Sequence, residues 1–564
     1  MKKEKKWKTL QHNGILFPPE FETKNIKIKL KGKEIKINLF QEEMVYQWAK
    51  KKDTPYVQDS VFQKNFTNDF AKTLPVNLKN IKYSDIDFSR AYRVVDKEKD
   101  AKDLMTKEER KEIATKRKNI REKMKSEYGI AIIDGKETDI ANYMAEPPGI
   151  FIGRGQHPLR GKWKVRITKK DVVLNLGKNS KIPKGDWKKI EHNQEATWLA
   201  YWIDSLTKSH KYIWLADVAD FKQDKDKSKY NKAVNLSKSI KNIEKHMIKD
   251  MTSKDNTKRT IATICFLIYT TAMRVGDEKD PEEADTVGAT TLRTEHIKIT
   301  PDGILFDFLG KDSIRWKEEI KKNDKNNQLY TNLKKIIKDK KPKEEIFGNI
   351  TSRQVNKYYS SILEGLSAKV FRTYLASKVV AKSLSMNKNV SSESAAKKLY
   401  LAKISNLEAA IMCNHKRTIP KTFAKSLQKK KDTLKKIKNS NTWRKAEISL
   451  QAAKNSKPKS TKQKTAKVSR IHKAKMMIKK RKEKHAERLE KAQLQISLTE
   501  KTMDYNIGTS LRNYIDPRIF KSWSSEVDMQ WEKLYTSALQ KKFLWVKEEK
   551  GKWDKVSGLY LSDK

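Results

Sequence analysis

The sequence is short of the residues that several large classes of protein need. Only two of its 564 residues are cysteine, Cys265 and Cys413. Two thiols make neither a disulfide framework nor a Cys-rich zinc site, and point to a reducing, intracellular compartment. Both sit among apolar neighbours (TICFLIY and AIMCNH) and read as small buried side chains, although His415 lies two residues beyond Cys413. There is no run of about 20 apolar residues, no signal-peptide core after the basic start MKKEKKWKTL, and no lipidation box, which weakens a membrane role. The glycine patterns that cradle nucleotide phosphates are missing, which argues against a nucleotide-hydrolysing motor. No carboxylate cluster of the kind a metal-dependent nuclease uses stands out. Acid is scarce too: 70 Asp and Glu face 125 Lys and Arg, a formal net charge of +55. A chain so charged draws polyanions, nucleic acid first among them.

What is present divides along the chain. The length suggests about three or four units. Apolar residues are 37% and charged residues 35%, so the apolar deficit must lie in solvated helices rather than in the core. Residues 4–225 mix β-like runs (IKIKLKGKEIKINLF, VVLNLG, ATWLAYWI, KYIWLADV) with charged helices; the first alternates with period two around Gly32, as a hairpin does. AKDLMTKEERKEIATKRKNIREKMKSEYG reads as one long polar helix with a capping box from Thr106 to Glu109. It either projects to meet a polyanion or is a solvated surface helix. EPPGIFIGRGQHPLRGKWKVR is rich in glycine and cations: glycines admit a ligand close to the backbone, and arginines contact phosphate.

Residues 226–417 carry the densest apolar patterning. RTIATICFLIYTTAMRVGDEKD reads as a buried helix ending near Gly276, and GILFDFLGKDSIRWKEEI as two strands joined by a turn at Leu309 to Asp312. Residues 418–502 are polar, with apolar positions at Phe423, Leu427, Leu434 and Ile437, then Val468, Ile471, Ile478, Leu489, Ala492 and Ile496. Those spacings describe two helices zipped together, with a turn near Pro458. Residues 503–564 hold IGTSLRNYIDPRIFKSW and several tryptophans that require a core.

Breaking a phosphodiester without a metal requires a nucleophile, cations for a five-coordinate phosphorus, and an acid for the leaving oxygen. Tyrosine, arginine and lysine suit these tasks in turn. Composition does not select which ones. RVGDEKD, DTVG, FLGKDSIRW, AKVFRTY, AAIMCNHKR and GTSLRNYIDPR do: they occur in the order found in eukaryotic-type DNA topoisomerases IB, and EPPGIFIGRGQHP and WKTLQHNGILFPPEF resemble that family's core. The resemblance runs from Trp7 to the C-terminus.

The resemblance implies an α+β multidomain fold. A mixed α/β DNA-clamping cap spans 4–225, a mainly helical catalytic domain of tyrosine-recombinase/topoisomerase IB type 226–417, an antiparallel coiled-coil linker 418–502, and a small helical C-terminal domain 503–564. It implies Tyr514 as nucleophile, Arg274 and Arg372 clamping the scissile phosphate, Lys311 protonating the leaving 5′ oxygen, and His415 donating to a non-bridging oxygen. Arg154, His157, Lys164, Lys369, Asp312, Asn414 and Asn513 sit where the family contacts DNA or supports the site. Double-stranded DNA is the implied partner, with the protein a monomer, without cofactor or obligatory metal, and DNA-associated in nucleoid, cytoplasm or nucleus. Arg154, Asp312 and Asn513 lie in motifs of the pocket for camptothecin-type inhibitors, so sensitivity is expected. Asp277 and Leu375 depart from the family, which commonly has Asn at both. The long basic N-terminal extension of nuclear members is not seen before Trp7, as in compact versions. A tyrosine recombinase and a non-enzymatic architectural DNA-binding protein remain the alternatives.

Overall fold

The computed structural model describes residues 5–75, 78–153, 155–276, 286–548 and 556–561. It is a mixed α+β structure of two compact units, Met1–Lys225 with Lys279–Thr286, and Asp226–Glu278 with Val287–Lys564. No helix among the described residues is long and apolar enough to cross a membrane.

The first unit has two cores. Helices Leu39–Ala49 and Ser60–Ala71 bury Trp48, Phe62, Phe66 and Phe70 against a hairpin, Ile28–Leu30 with Lys33–Ile35. Its turn uses Gly32 at φ +80°, which costs a glycine little. The tail of that run is not strand: Asn38 and Gln41 form a capping box and Leu39 opens a helix. The second core lies under a four-stranded sheet ordered Lys189–Glu191, Val173–Asn175, Trp198–Ile203, His210–Trp214. The charged segment is two helices, Ser89–Leu104 and Lys107–Tyr128, because the predicted Thr106–Glu109 capping box starts a new helix there. No residue of Lys107–Tyr128 is buried.

In the second unit one core gathers helices Asn256–Thr271 and Ala368–Ser385 together with the C-terminal elements Ile507–Asn513, Pro517–Glu526 and Val556–Leu561. The predicted hairpin is Gly303–Gly310 paired with Ile314–Lys321 across the turn Lys311–Ser313. Its second strand turns Trp316 and Ile320 into the core, and Glu318 lies on the same face between them. Burial alone pushes the Glu318 carboxyl up to about 7 from 4.5. The folded protein therefore holds a proton that the unfolded chain releases, and stability falls as pH rises through that window. Glu318→Gln removes this loss: Tm is expected to rise by roughly 2–4 °C at about pH 8 and hardly at all at about pH 5, read by thermal melts.

The helices between Phe423 and Lys501 form an antiparallel arm. The outgoing side is two helices, Phe423–Lys438 and Arg444–Asn455, rather than one; both pack on the returning Thr461–Lys501 helix. Lys430 bonds Thr499, His485 meets the carbonyl of Ile437, and Lys467 donates to Ser456, so the register runs the length of the arm. Ala474 and Ile496 are buried in the seam. Val468, read from its spacing as part of that seam, is instead 67% exposed.

Candidate active site

The helix read as ending near Gly276 stops earlier than its apolar pattern suggests. The helix stops at Thr271, and Ala272 takes a left-handed φ of +54°. The chain then runs extended: the Ala289 N–H donates to the Arg274 carbonyl (2.8 Å) and the Thr290 N–H to that of Val275 (2.7 Å). This pairing brings Arg274 and Val275 against Ala289 and Thr290. A Cβ on Gly288 would lie 2.4 Å from the Gly276 Cα, so the two backbones meet where side chains do not fit.

A cleft in this unit is lined by Met273, Arg274, Val287, Phe308, Gly310, Lys311, Ile314, Trp316, Arg372, Cys413 and Asn414. Among the described residues that line it, three are cations and none is a carboxylate, and their field favours an anion. Lys311 is exposed on the hairpin turn and Arg274 half-buried. Arg372, from the Ala368–Ser385 helix, is buried. Its Nη2 donates to the Cys413 carbonyl (3.1 Å), and its guanidinium carbon lies 5.0 Å from the centre of the Tyr514 ring.

His415 follows Asn414, which at φ +50° ends the Ala395–Met412 helix segment with a left-handed step. Main-chain bonds on both sides fix it: its N–H donates to Ala410, and its carbonyl accepts from the Asn506 N–H. The ring is buried and centred 5.2 Å from the Tyr514 ring. Burial first, then the charges of Arg372 and Arg274, push its pKa down to about 3. The imidazole is therefore neutral near pH 7 and carries one N–H to donate. Both His415 ring nitrogens and the Arg372 Nε are buried without a hydrogen-bond partner. Leaving such groups unsatisfied costs about 1–3 kcal/mol each, and they concentrate where a ligand completes them.

Tyr514 is 8% exposed and closes the short Ile507–Asn513 helix. Arg372, His415 and Tyr514 thus come together from three separate stretches of chain, with Arg274 and Lys311 on the adjoining cleft. Of the remaining predicted residues in this unit, Asn414 lines the cleft and its Nδ2 donates to the Arg315 carbonyl (3.2 Å). Lys369 and Asn513 are exposed. Leu375 packs against the core. Asp277 and the Asp312 side chain lie outside the described residues.

The first unit holds the rest. Arg154 lies outside the described residues. His157 stands edge-on to Phe151 at 5.0 Å, its Nδ1 accepting from the Leu159 N–H. Lys164 is half-buried between Glu146 and Asp204. Burial works against its charge, but these two carboxylates raise its pKa overall. Asp204 in turn falls to about 2: burial raises it, and Lys164 with the Thr207 and Leu206 N–H groups more than offsets that.

Two features escaped the sequence reading. Behind Tyr514, Asp516, Arg518, Ser377 and Tyr560 form a buried polar network; the Asp-Pro pair after Tyr514, a helix-start signal, is its one local trace. On the four-stranded sheet, Trp198, Tyr201, His210, Tyr212 and Trp214 make a continuous row of rings 4.9–6.3 Å apart. His210, Tyr212 and Trp214 alternate legibly; Trp198 joins Tyr201 only through a bulge.

Three family models match the chain. "Eukaryotic DNA topoisomerase I, DNA binding fragment" covers residues 5–215, "Eukaryotic DNA topoisomerase I, catalytic core" 218–448, and "C-terminal topoisomerase domain" 486–555. DNA topoisomerase 1 of Homo sapiens is 35% identical over 561 residues, covering 96% of this chain and 70% of that protein. DNA topoisomerase 1 beta of Arabidopsis thaliana is 34% identical over 553 residues, with 96% of this chain covered. The chain spans 58% of that relative's length.

Proposed function

The chain belongs to the eukaryotic DNA topoisomerase I family, and from that premise we propose that it relaxes supercoiled duplex DNA by cutting and resealing one strand. The observation that carries the reading is the buried meeting of Tyr514 with Arg372 and His415, where the Arg372 Nε and both His415 ring nitrogens have no hydrogen-bond partner.

In this reading the Tyr514 oxygen attacks phosphorus, its proton passing to solvent. The bond from phosphorus to the 5′ oxygen breaks, and Lys311 protonates that oxygen to give a 5′-hydroxyl. Tyr514 is left as a 3′-phosphotyrosine. Arg274 and Arg372 neutralise the extra charge on the phosphoryl oxygens, and the neutral His415 donates to one of them. Resealing reverses each step. One phosphodiester replaces another, so the exchange is nearly balanced and requires neither ATP nor an obligatory metal. Torsional strain drives rotation of the free end, in either sense, so positive and negative supercoils both relax.

The other assignments follow the same division. Residues 4–225 clamp duplex DNA, with Arg154, His157, Lys164, Lys369, Asp312, Asn414 and Asn513 contacting it or supporting the site. Residues 226–417 hold the phosphate, 503–564 deliver Tyr514, and 418–502 are a coiled-coil linker. A monomer suffices, and camptothecin-type inhibitors are expected to raise covalent complexes. The lysine-rich arm lies near the rotating duplex and drags on it electrostatically. Replacing residues 421–500 by a short flexible link is expected to change relaxation rate and processivity; plasmid assays that find both unchanged remove that role. The reading as a whole is tested by plasmid relaxation in EDTA without ATP. A monomer relaxing DNA of arbitrary sequence supports it; dependence on a defined site and synapsis favours a recombinase, and no relaxation an architectural protein.

A further inference from the structure

Two residues after Tyr514, Asp516 is fully buried and caps the Pro517–Glu526 helix. Its N–H donates to the Ser377 Oγ (3.0 Å), and that hydroxyl donates to the Tyr514 carbonyl (3.3 Å). Ser377 belongs to the helix that carries Arg372. The Asp516 carboxylate accepts from Arg518 Nε and Nη2, and Oδ2 accepts a further bond from the Tyr560 hydroxyl at 2.8 Å. Tyr560 is 1% exposed, its ring 6.5 Å from that of Tyr374 on the same Arg372-bearing helix. The residue before it is anchored too: Ser237 Oγ donates to the Leu559 carbonyl (2.6 Å).

These bonds form one chain from the C-terminal helix Val556–Leu561 through Asp516 and Ser377 to the main chain of Tyr514. We propose that Tyr560 is a positioning residue for the nucleophile, holding the Asp516 carboxylate in the orientation that places Tyr514 against Arg372 and His415. The inference rests on the reading of Tyr514 as nucleophile. The Tyr560 hydroxyl suits the task, since burial and the Asp516 charge push its pKa well above 10 and keep it a donor. A hydrogen bond to a buried charge is among the stronger ones, and its loss leaves the carboxylate's orientation to Arg518 alone. A placement error near a nucleophile slows chemistry without weakening the binding of DNA.

The test uses the full chain and a duplex whose scissile strand is truncated just beyond the cut, so that cleavage is trapped. Single-turnover cleavage, DNA affinity and Tm are measured for Tyr560→Phe, Asp516→Asn and the double variant, with rates taken on folded protein well below each Tm. Tyr560→Phe keeps the ring packed and removes one oxygen. Cleavage is expected to slow roughly tenfold with DNA affinity unchanged within about twofold. The double variant is expected to be no slower than Asp516→Asn alone, within about twofold, because both changes act through one carboxylate. Wild-type cleavage by Tyr560→Phe, with or without a lower Tm, overturns the proposal, as do effects that multiply in the double variant. Tyr514→Phe separates the two levels. If it still forms adducts, the nucleophile reading falls and this inference with it; if it forms none while Tyr560→Phe cleaves normally, only the inference falls.

Discussion

Tyr514→Phe is expected to abolish plasmid relaxation, with a loss of at least about 10⁴-fold, while DNA binding persists. Phenylalanine keeps the ring that packs near Arg372 and His415 and loses only the oxygen proposed to attack. The main-chain anchors of Tyr514, Ser377 to its carbonyl and Ser510 to its N–H, do not involve the side chain. Folding should therefore be disturbed by no more than about 1 kcal/mol, the scale of one hydrogen bond. Affinity for duplex DNA comes from cations spread over a chain of net charge +55, and none of these is removed. A gel-shift titration beside the relaxation assay separates the two effects. Relaxation by the variant at more than a trace of the normal rate would assign the chemistry to another residue.

The second large effect is expected at Arg372. Arg372→Ala should lower single-turnover cleavage by roughly 10²–10³-fold, the scale seen when a preorganised donor to a developing anion is lost. Arg372→Lys should restore little of this. A lysine supplies a point charge, whereas the guanidinium reaches the Cys413 carbonyl through Nη2 and keeps its Nε for another acceptor. His415 is affected in the same step. Burial remains the main force holding its pKa down, but the Arg372 charge contributes, so its removal lets the imidazole take a proton more readily. The substitution thus changes a second donor as well, and losses at Arg372 and His415 should combine non-additively. Cleavage rates for the two single variants and their double measure that coupling.

How far all this was legible depends on the range of the interactions. The hairpin that presents Lys311 is written in adjacent residues, alternating strands around a turn, and the structure has it with the turn at Lys311–Ser313 rather than at Leu309 to Asp312. The Thr106–Glu109 cap is equally local and splits the charged segment where it stands. The helix preceding Arg274 was less legible. Its apolar pattern continues through Ala272 and Met273, yet the helix ends at Thr271 with a left-handed Ala272, and Arg274 and Val275 bond Ala289 and Thr290 instead. Long-range pairing overrode local periodicity. Val468 fits the spacing of the helical arm but is exposed rather than packed in its seam.

Nothing local brings Arg372, His415 and Tyr514 together. The ordered motifs imply that grouping only by their resemblance to a known family, and in the structure it arises because the C-terminal helices share one core with Phe371 and Tyr374. The polar network beneath Tyr514 was invisible for the same reason. Ser377 and Tyr560 are ordinary residues in sequence, and only the fold makes them neighbours of Asp516.

The central claim is that Tyr514 forms the covalent link to DNA. The most direct measurement traps the complex on a duplex truncated beyond the scissile bond, in EDTA, then digests both partners and maps the modified peptide by mass spectrometry. The account predicts a single adduct on Tyr514, joined to the 3′ phosphate, with a 5′-hydroxyl on the released strand. An adduct on any other residue, a 5′-linked phosphate, or cleavage with no protein attached would contradict it.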